Sequence, residues 1–129
     1  MENKNIELVK GLLDKFLAGD DAGYIDGCHE EFHGIYDTSG LIPGGAEIKG
    51  KEELTKMFGL MPEYVDMKKF ESVDWRCVDN EVYFTVNVEF IWKPTEKLVK
   101  TIANVKKVIV DNKIKEKYHI VHYHDVVSS

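Results

Sequence analysis

Residues 70–126 run FESVDWRCVDNEVYFTVNVEFIWKPTEKLVKTIANVKKVIVDNKIKEKYHIVHYHDV, and the alternation of apolar with polar side chains along them predicts four long strands. Asp79-Asn80 and Asp111-Asn112 punctuate the stretch as Asx pairs, which tolerate the left-handed backbone of a two-residue hairpin turn. Counting outward from the first turn pairs Cys77 with Val82, Trp75 with Phe84 and Val73 with Val86 on an apolar face, and Arg76 with Tyr83 and Asp74 with Thr85 on a polar one. From the second turn, Ile109 pairs with Ile114, Lys107 with Glu116, Val105 with Tyr118, Ala103 with Ile120, Thr101 with His122 and Val99 with His124. Thr101, His122 and His124 thus fall among apolar neighbours, and a bulge in the last strand would exchange His124 for Asp125.

Working back toward the N-terminus, Ile6, Val9, Leu13, Phe16 and Leu17 recur at spacings of three and four, predicting an amphipathic helix over 5–18 that Gly19 ends. Asp20 and Asp21 can cap a short second helix reaching Asp26. Phe32 to Asp37 reads as a strand, with Ile35 and Asp37 on one face and Gly34 and Tyr36 on the other. A breaker-rich loop from Thr38 through Pro43-Gly44-Gly45 follows, and Gly50 opens a third helix that ends near Gly59 to Pro62. Helices in the first half and strands in the second describe one α+β domain over residues 1–129, with a strongly curved antiparallel sheet packed on three helices. Such a wedge leaves room for a small ligand.

The chain has 129 residues, 23 acids against 17 bases and a formal charge of -6. An acidic surface repels phosphate backbones, so nucleic acid is not an expected partner. The first ten residues contain no continuous apolar run, which points to neither a signal peptide nor a membrane anchor and to a cytoplasmic protein. Cys28 and Cys77 form no C-x-x-C pair and read as reduced, buried thiols.

Ala18-Gly19-Asp20 after the first helix, Tyr36-Asp37-Thr38-Ser39-Gly40 closing the first strand, Gly50-Lys51-Glu52-Glu53-Leu54 opening the third helix and the Asp111-Asn112-Lys113-Ile114 turn together resemble the nuclear transport factor 2-like (cystatin-like) superfamily. That group includes ketosteroid isomerases, SnoaL-type polyketide cyclases, scytalone dehydratase and limonene epoxide hydrolase. The resemblance implies a cone-shaped α+β barrel, a homodimer through the outer sheet face, a deep apolar pocket for a small ligand and no cofactor, but no one reaction. It places Asp37 where ketosteroid isomerases keep their proton-shuttling carboxylate. The isomerases' oxyanion donors correspond to positions near Leu12 and near Ala103 or Asn104, where those donors are missing. SnoaL-type cyclases carry an acid–base aspartate on the last strand, where this chain has His122 or His124, with Asp125 if a bulge intervenes. The Asp-Arg-Asp set of limonene epoxide hydrolase has only Arg76 to match it, on the polar face.

Proton transfer beside a carbonyl needs a base of suitable affinity and a donor for the enolate oxygen. Asp37 as base and His122 as acid or orienting partner are the first candidates, with Tyr36, Thr101, His124 and Asp125 as further polar groups. Asp37 can instead cap the loop, and His122 can instead be a core histidine bonded to Thr101. Leu13, Phe16, Trp75, Phe84, Phe90, Trp92 and Tyr118 are expected as core or pocket wall. His122-x-His124 and His29 with His33 lack an evident third ligand, so no metal is expected. The expected activity is cofactor-independent isomerisation, cyclisation or dehydration of an apolar carbonyl compound; the alternative is a dimeric, non-catalytic carrier of an apolar metabolite.

Overall fold

The computed structural model describes residues 3–37 and 47–127. Helix α1 (Lys4–Leu17) starts where the Asn3 side chain accepts from the Asn5 and Ile6 amides at 2.9 and 3.3 Å, and it buries Val9, Leu12 and Leu13. Gly19, at φ +85°, supplies the left-handed step that ends it. Helix α2 (Asp21–Asp26) is capped by Asp20, whose carboxylate accepts from Gly23 N–H at 2.9 Å, and turns Tyr24 into the core. Strand β1 (Cys28–Asp37) begins four residues earlier than the apolar pattern suggests, because Cys28 is already paired with Ile114. Strand β2 (Glu47–Lys49) is too short to carry a period of its own and is an addition to the sequence reading. Helix α3 (Gly50–Tyr64) continues through Pro62 to Tyr64 and does not stop at the proline, which sits in its last turn.

Strands β3 (Val65–Val78), β4 (Glu81–Trp92), β5 (Lys97–Val110) and β6 (Lys113–Val127) complete one six-stranded sheet in the order β2-β1-β6-β5-β4-β3. The sheet is mixed, since β1 runs parallel to β6 while every other neighbouring pair is antiparallel. Both Asx turns form as expected, with Asp79, Asp111 and Asn112 all at positive φ. The helices cover one face of the curved sheet, and Leu12, Tyr24, Leu54 and Phe58 of α1, α2 and α3 join buried residues of β1, β4, β5 and β6 in one core. The fold class is α+β, the cone anticipated from the sequence.

Three bulges decide which side chains face inward. In β3, Asp74 takes a positive φ of 59° and the register slips between Val73 and Arg76. Trp75 nevertheless stacks on Phe84, with ring centroids 4.1 Å apart, whereas Val73 lies opposite Thr85 and not Val86. In β6 the slip between Val108 and Ile109 leaves Lys115 as the extra residue, so Lys107 meets Lys117, Val105 meets His119 and Ala103 meets Val121. A second slip makes His122 the extra residue and returns Thr101 to a place opposite His124. The pairings expected for Lys107, Val105, Ala103 and Thr101 were counted without these insertions, and each insertion reverses the face of every side chain beyond it.

Among the described residues no helix is long and apolar enough to cross a membrane. Cys28 and Cys77 are free thiols, the first buried and the second half-buried.

Candidate functional site

Between the helices and the concave sheet face lies a cavity of about 440 Å³. Leu13 and Phe16 of α1, Met57, Phe58 and Met61 of α3, and Phe84, Val86, Val88 and Phe90 of β4 make most of its wall. Glu47, Glu53 and Lys56 are also among the lining residues, as are Leu60 and Tyr64 at the exposed end of α3.

A group of polar side chains interrupts this apolar wall. Lys107 belongs to the inward series Thr101, Ala103, Val105, Lys107 and Ile109 on β5 and is fully buried. Its Nζ donates to the Tyr24 hydroxyl at 2.9 Å and stands 5.0 and 5.5 Å from the Tyr24 and Phe84 ring centroids. Opposite it, Lys117 extends along the cavity wall with Nζ 4.7 Å from the centre of the Tyr36 ring. His119 stacks on the same ring, its centroid 6.1 Å from that of Tyr36 at 27°. The Tyr36 hydroxyl is buried and has no hydrogen-bond partner among the described residues.

Burial and like charge set the protonation of this group. Desolvation, then the neighbouring Lys117 charge, pulls Lys107 well below the ordinary lysine range. Burial pulls Lys117 down to about 8. His119 is driven to about 3 by burial and then by the charges of Lys117 and Lys107, so it is neutral near pH 7. Burial raises the Tyr24 and Tyr36 phenols and takes the adjacent Cys28 thiol to about 11, so all three hold their protons. The site therefore offers phenol donors, a neutral imidazole and an amine that titrates near neutrality.

The expected residues distribute unevenly around this centre. Tyr36, Thr101, Leu13, Phe16, Phe84 and Phe90 line the cavity, Thr101 with its hydroxyl 3.5 Å from the Val88 carbonyl oxygen. His122 does not: as the extra residue of the second β6 bulge it is exposed, and Asp125 is exposed opposite Lys100. Trp75, Trp92 and Tyr118 are also off the cavity. Trp75 backs Phe84 and lies under Lys10, Trp92 stacks on Tyr64 at 5.5 Å, and Tyr118 faces outward, donating to Glu116 at 2.7 Å. Asp37 closes β1 opposite Ile120; its side chain and that of His124 lie outside the described residues, as does the Thr38–Gly45 loop. Lys107, Lys117 and His119 went unselected. The inward period of β5 already carried Lys107, but Lys117 and His119 become inward only once Lys115 is recognised as an insertion.

Among the described residues no three His, Cys, Asp or Glu side chains are grouped to hold a metal ion. His33 Nε2 instead lies 2.8 Å from Glu47, and His29 Nδ1 accepts from the Glu31 amide.

Comparison with solved structures gives the architecture its name. A protein of Burkholderia xenovorans described as NTF2-like superposes with a TM-score of 0.79 over 94% of this chain and 88% of its own, at 17% identity. The chain has the nuclear transport factor 2-like fold. A SnoaL-like polyketide cyclase candidate from Jannaschia matches with a TM-score of 0.76 at 12% identity, covering 92% of this chain and 85% of that one. TerC, co-crystallised with polyporic acid, matches with a TM-score of 0.78 at 15% identity over 92% of both chains. No protein-family model and no curated protein matches the sequence. Identities this low carry the NTF2-like fold and not an activity.

Proposed function

We propose that this NTF2-like chain is a small-molecule enzyme of the ketosteroid isomerase and SnoaL kind, performing cofactor-independent acid–base chemistry on an apolar carbonyl compound held in the cavity. The observation that carries this reading is the Tyr36 hydroxyl, buried in the cavity and without a hydrogen-bond partner among the described residues. A buried phenol that keeps its proton donates to a carbonyl oxygen and more strongly to the enolate that develops from it. Asp37, in the place the family resemblance assigns it, is the proposed base for the α-proton; because it alternates with Tyr36 along β1, the two meet one ligand only where the strand bends at its end. Neutral His119, stacked on Tyr36, orients the ring and can exchange hydrogen bonds with the same oxygen. TerC's co-crystallisation with a small molecule on the same fold supports a ligand-binding role. We further propose that the protein acts in the cytoplasm, as two unpaired cysteines suit, and as a homodimer through the outer face of β4 and β5.

The test is α-proton exchange. A panel of apolar ketones incubated with the protein in deuterium oxide should include members that gain deuterium faster than in buffer. Tyr36→Phe and Asp37→Asn should each slow that exchange by about a hundredfold or more while ligand still binds. Ligands that bind without accelerated exchange would leave the second reading, a carrier. One feature favours that alternative: the expected acid, His122, is exposed.

A further inference from the structure

Several lysines on the surface of this molecule lie beside carboxylates: Lys51 is 3.2 Å from Glu30, Lys68 2.9 Å from Asp66 and Lys106 3.1 Å from Glu81. The two inside do not. Lys107 and Lys117 face each other across β5 and β6, line one cavity, and make no ion pair with any described residue. What surrounds their amines is a phenol below Lys107, a phenol ring under Lys117, the thiol of Cys28 and the imidazole of His119. Two amines side by side in an apolar wall repel one another when charged, and the described residues supply no anion between them.

We propose that the cavity's ligand is an apolar acid, bound as its anion with the carboxylate or acidic enol oxygen between Lys107 and Lys117 and within reach of the Tyr36 hydroxyl. The chemistry is complementary on each side. The ligand's apolar body meets Phe16, Phe58, Phe84 and Phe90, and its anionic end meets buried Lys107 and half-buried Lys117. The Tyr36 hydroxyl, which has no partner among the described residues, gains an acceptor, and the anion cancels the repulsion between the amines. Binding must then draw protons from solvent, because the arriving negative charge favours the ammonium form of both lysines. His119 on β6 also faces the site and can share that uptake, and Glu47, Glu53 and Lys56 are the other charged groups at the lining. Tyr24, Tyr36 and Cys28 already hold their protons and take up none.

This inference rests on the cavity being the ligand site but not on turnover. The experiment is titration calorimetry of the intact protein near pH 8 with 2-naphthoate and its neutral isostere 2-naphthamide, each in two buffers of different ionisation enthalpy. The carboxylate should bind about tenfold or more tightly than the amide and with net proton uptake. Lys117→Met and Lys107→Met should each abolish the preference for the carboxylate while retaining the amide. Equal binding of the two probes, proton release, or a preference that survives both substitutions would overturn the proposal. Carboxylate preference without α-proton exchange on any ketone would sink the catalytic reading and leave this one standing.

Discussion

Replacing Lys117 with methionine tests the electrostatic picture of the cavity directly. Burial holds the Lys117 amine at about 8, against 10.5 for the group in the open chain. The unfolded chain therefore binds the proton more readily, and folding is opposed wherever that proton is normally present. The sign follows from linkage: below about pH 8 the full penalty applies, and it is relieved as pH rises from about 8 to 10.5. A shift of that size corresponds to about 3 kcal/mol near pH 7, falling to about 1.5 kcal/mol near pH 9.5. Methionine keeps the length of the chain along the wall and removes the charge, so the variant should be more stable than the parent near pH 7 by up to about 3 kcal/mol. The advantage should narrow by about 2 kcal/mol at about pH 9.5. Urea unfolding of both proteins at the two pH values measures it. Comparing the two proteins removes most of the loss that the raised Cys28 thiol causes above about pH 9, the remainder reflecting the Lys117 charge that holds that thiol down in the parent. A variant less stable than the parent near pH 7, or a difference that does not change with pH, would refute the assignment of Lys117 to a dry, unpaired position.

His119, held near 3 against an ordinary 6.5, should make the parent lose about 2.5 kcal/mol between about pH 7 and 4.5, a limb that His119→Gln flattens; unfolding across that range checks it, and parallel curves would contradict it. Tyr24→Phe removes the hydroxyl that accepts from Lys107 Nζ at 2.9 Å and should lower stability by about 1–3 kcal/mol, read as a reduced urea midpoint; an unchanged midpoint would argue against that bond. Gly34→Ala would place a methyl 2.8 Å from the Tyr36 ring and 3.1 Å from that of Phe32, so it should cost about 1–3 kcal/mol and shift the tyrosine near-ultraviolet dichroism, whereas an unaltered spectrum would mean the ring is not confined.

Much of the frame is legible because its signals are local. The stripe of Val9, Leu12 and Leu13, the Asn3 and Asp20 caps and the two Asx turns each depend on residues within a few positions of one another. What escapes reading has weaker local marks. Three residues suffice for β2 once β1 offers a free edge, and α3 passes Pro62 although a proline there forgoes the i→i−4 bond to Phe58.

The candidate site is the least legible part because it depends on parity, which one inserted residue reverses. Read without a bulge, β6 turns Tyr118 and Ile120 inward, and that choice looks right by hydrophobicity alone. Lys115 defeats it. Once it is the extra residue, Lys117 and His119 enter the cavity, and Tyr118 turns out to meet Glu116 and Lys106. The apolar content of the two faces could not have decided between them, since the face that lines the cavity is the one bearing the amine and the imidazole. A decisive clue lay instead on β5, where Lys107 interrupts an otherwise apolar inward series whose parity a hairpin with left-handed Asp111 and Asn112 anchors. A lysine that the pattern insists on burying needs a reason. In this cone it has a phenol, a second amine opposite and an open chamber beside it, and no carboxylate of its own among the described residues. Sheets that merely fill a core place leucine or valine at such a position, so the exception to the pattern, more than the pattern, is what supports the proposed ligand site.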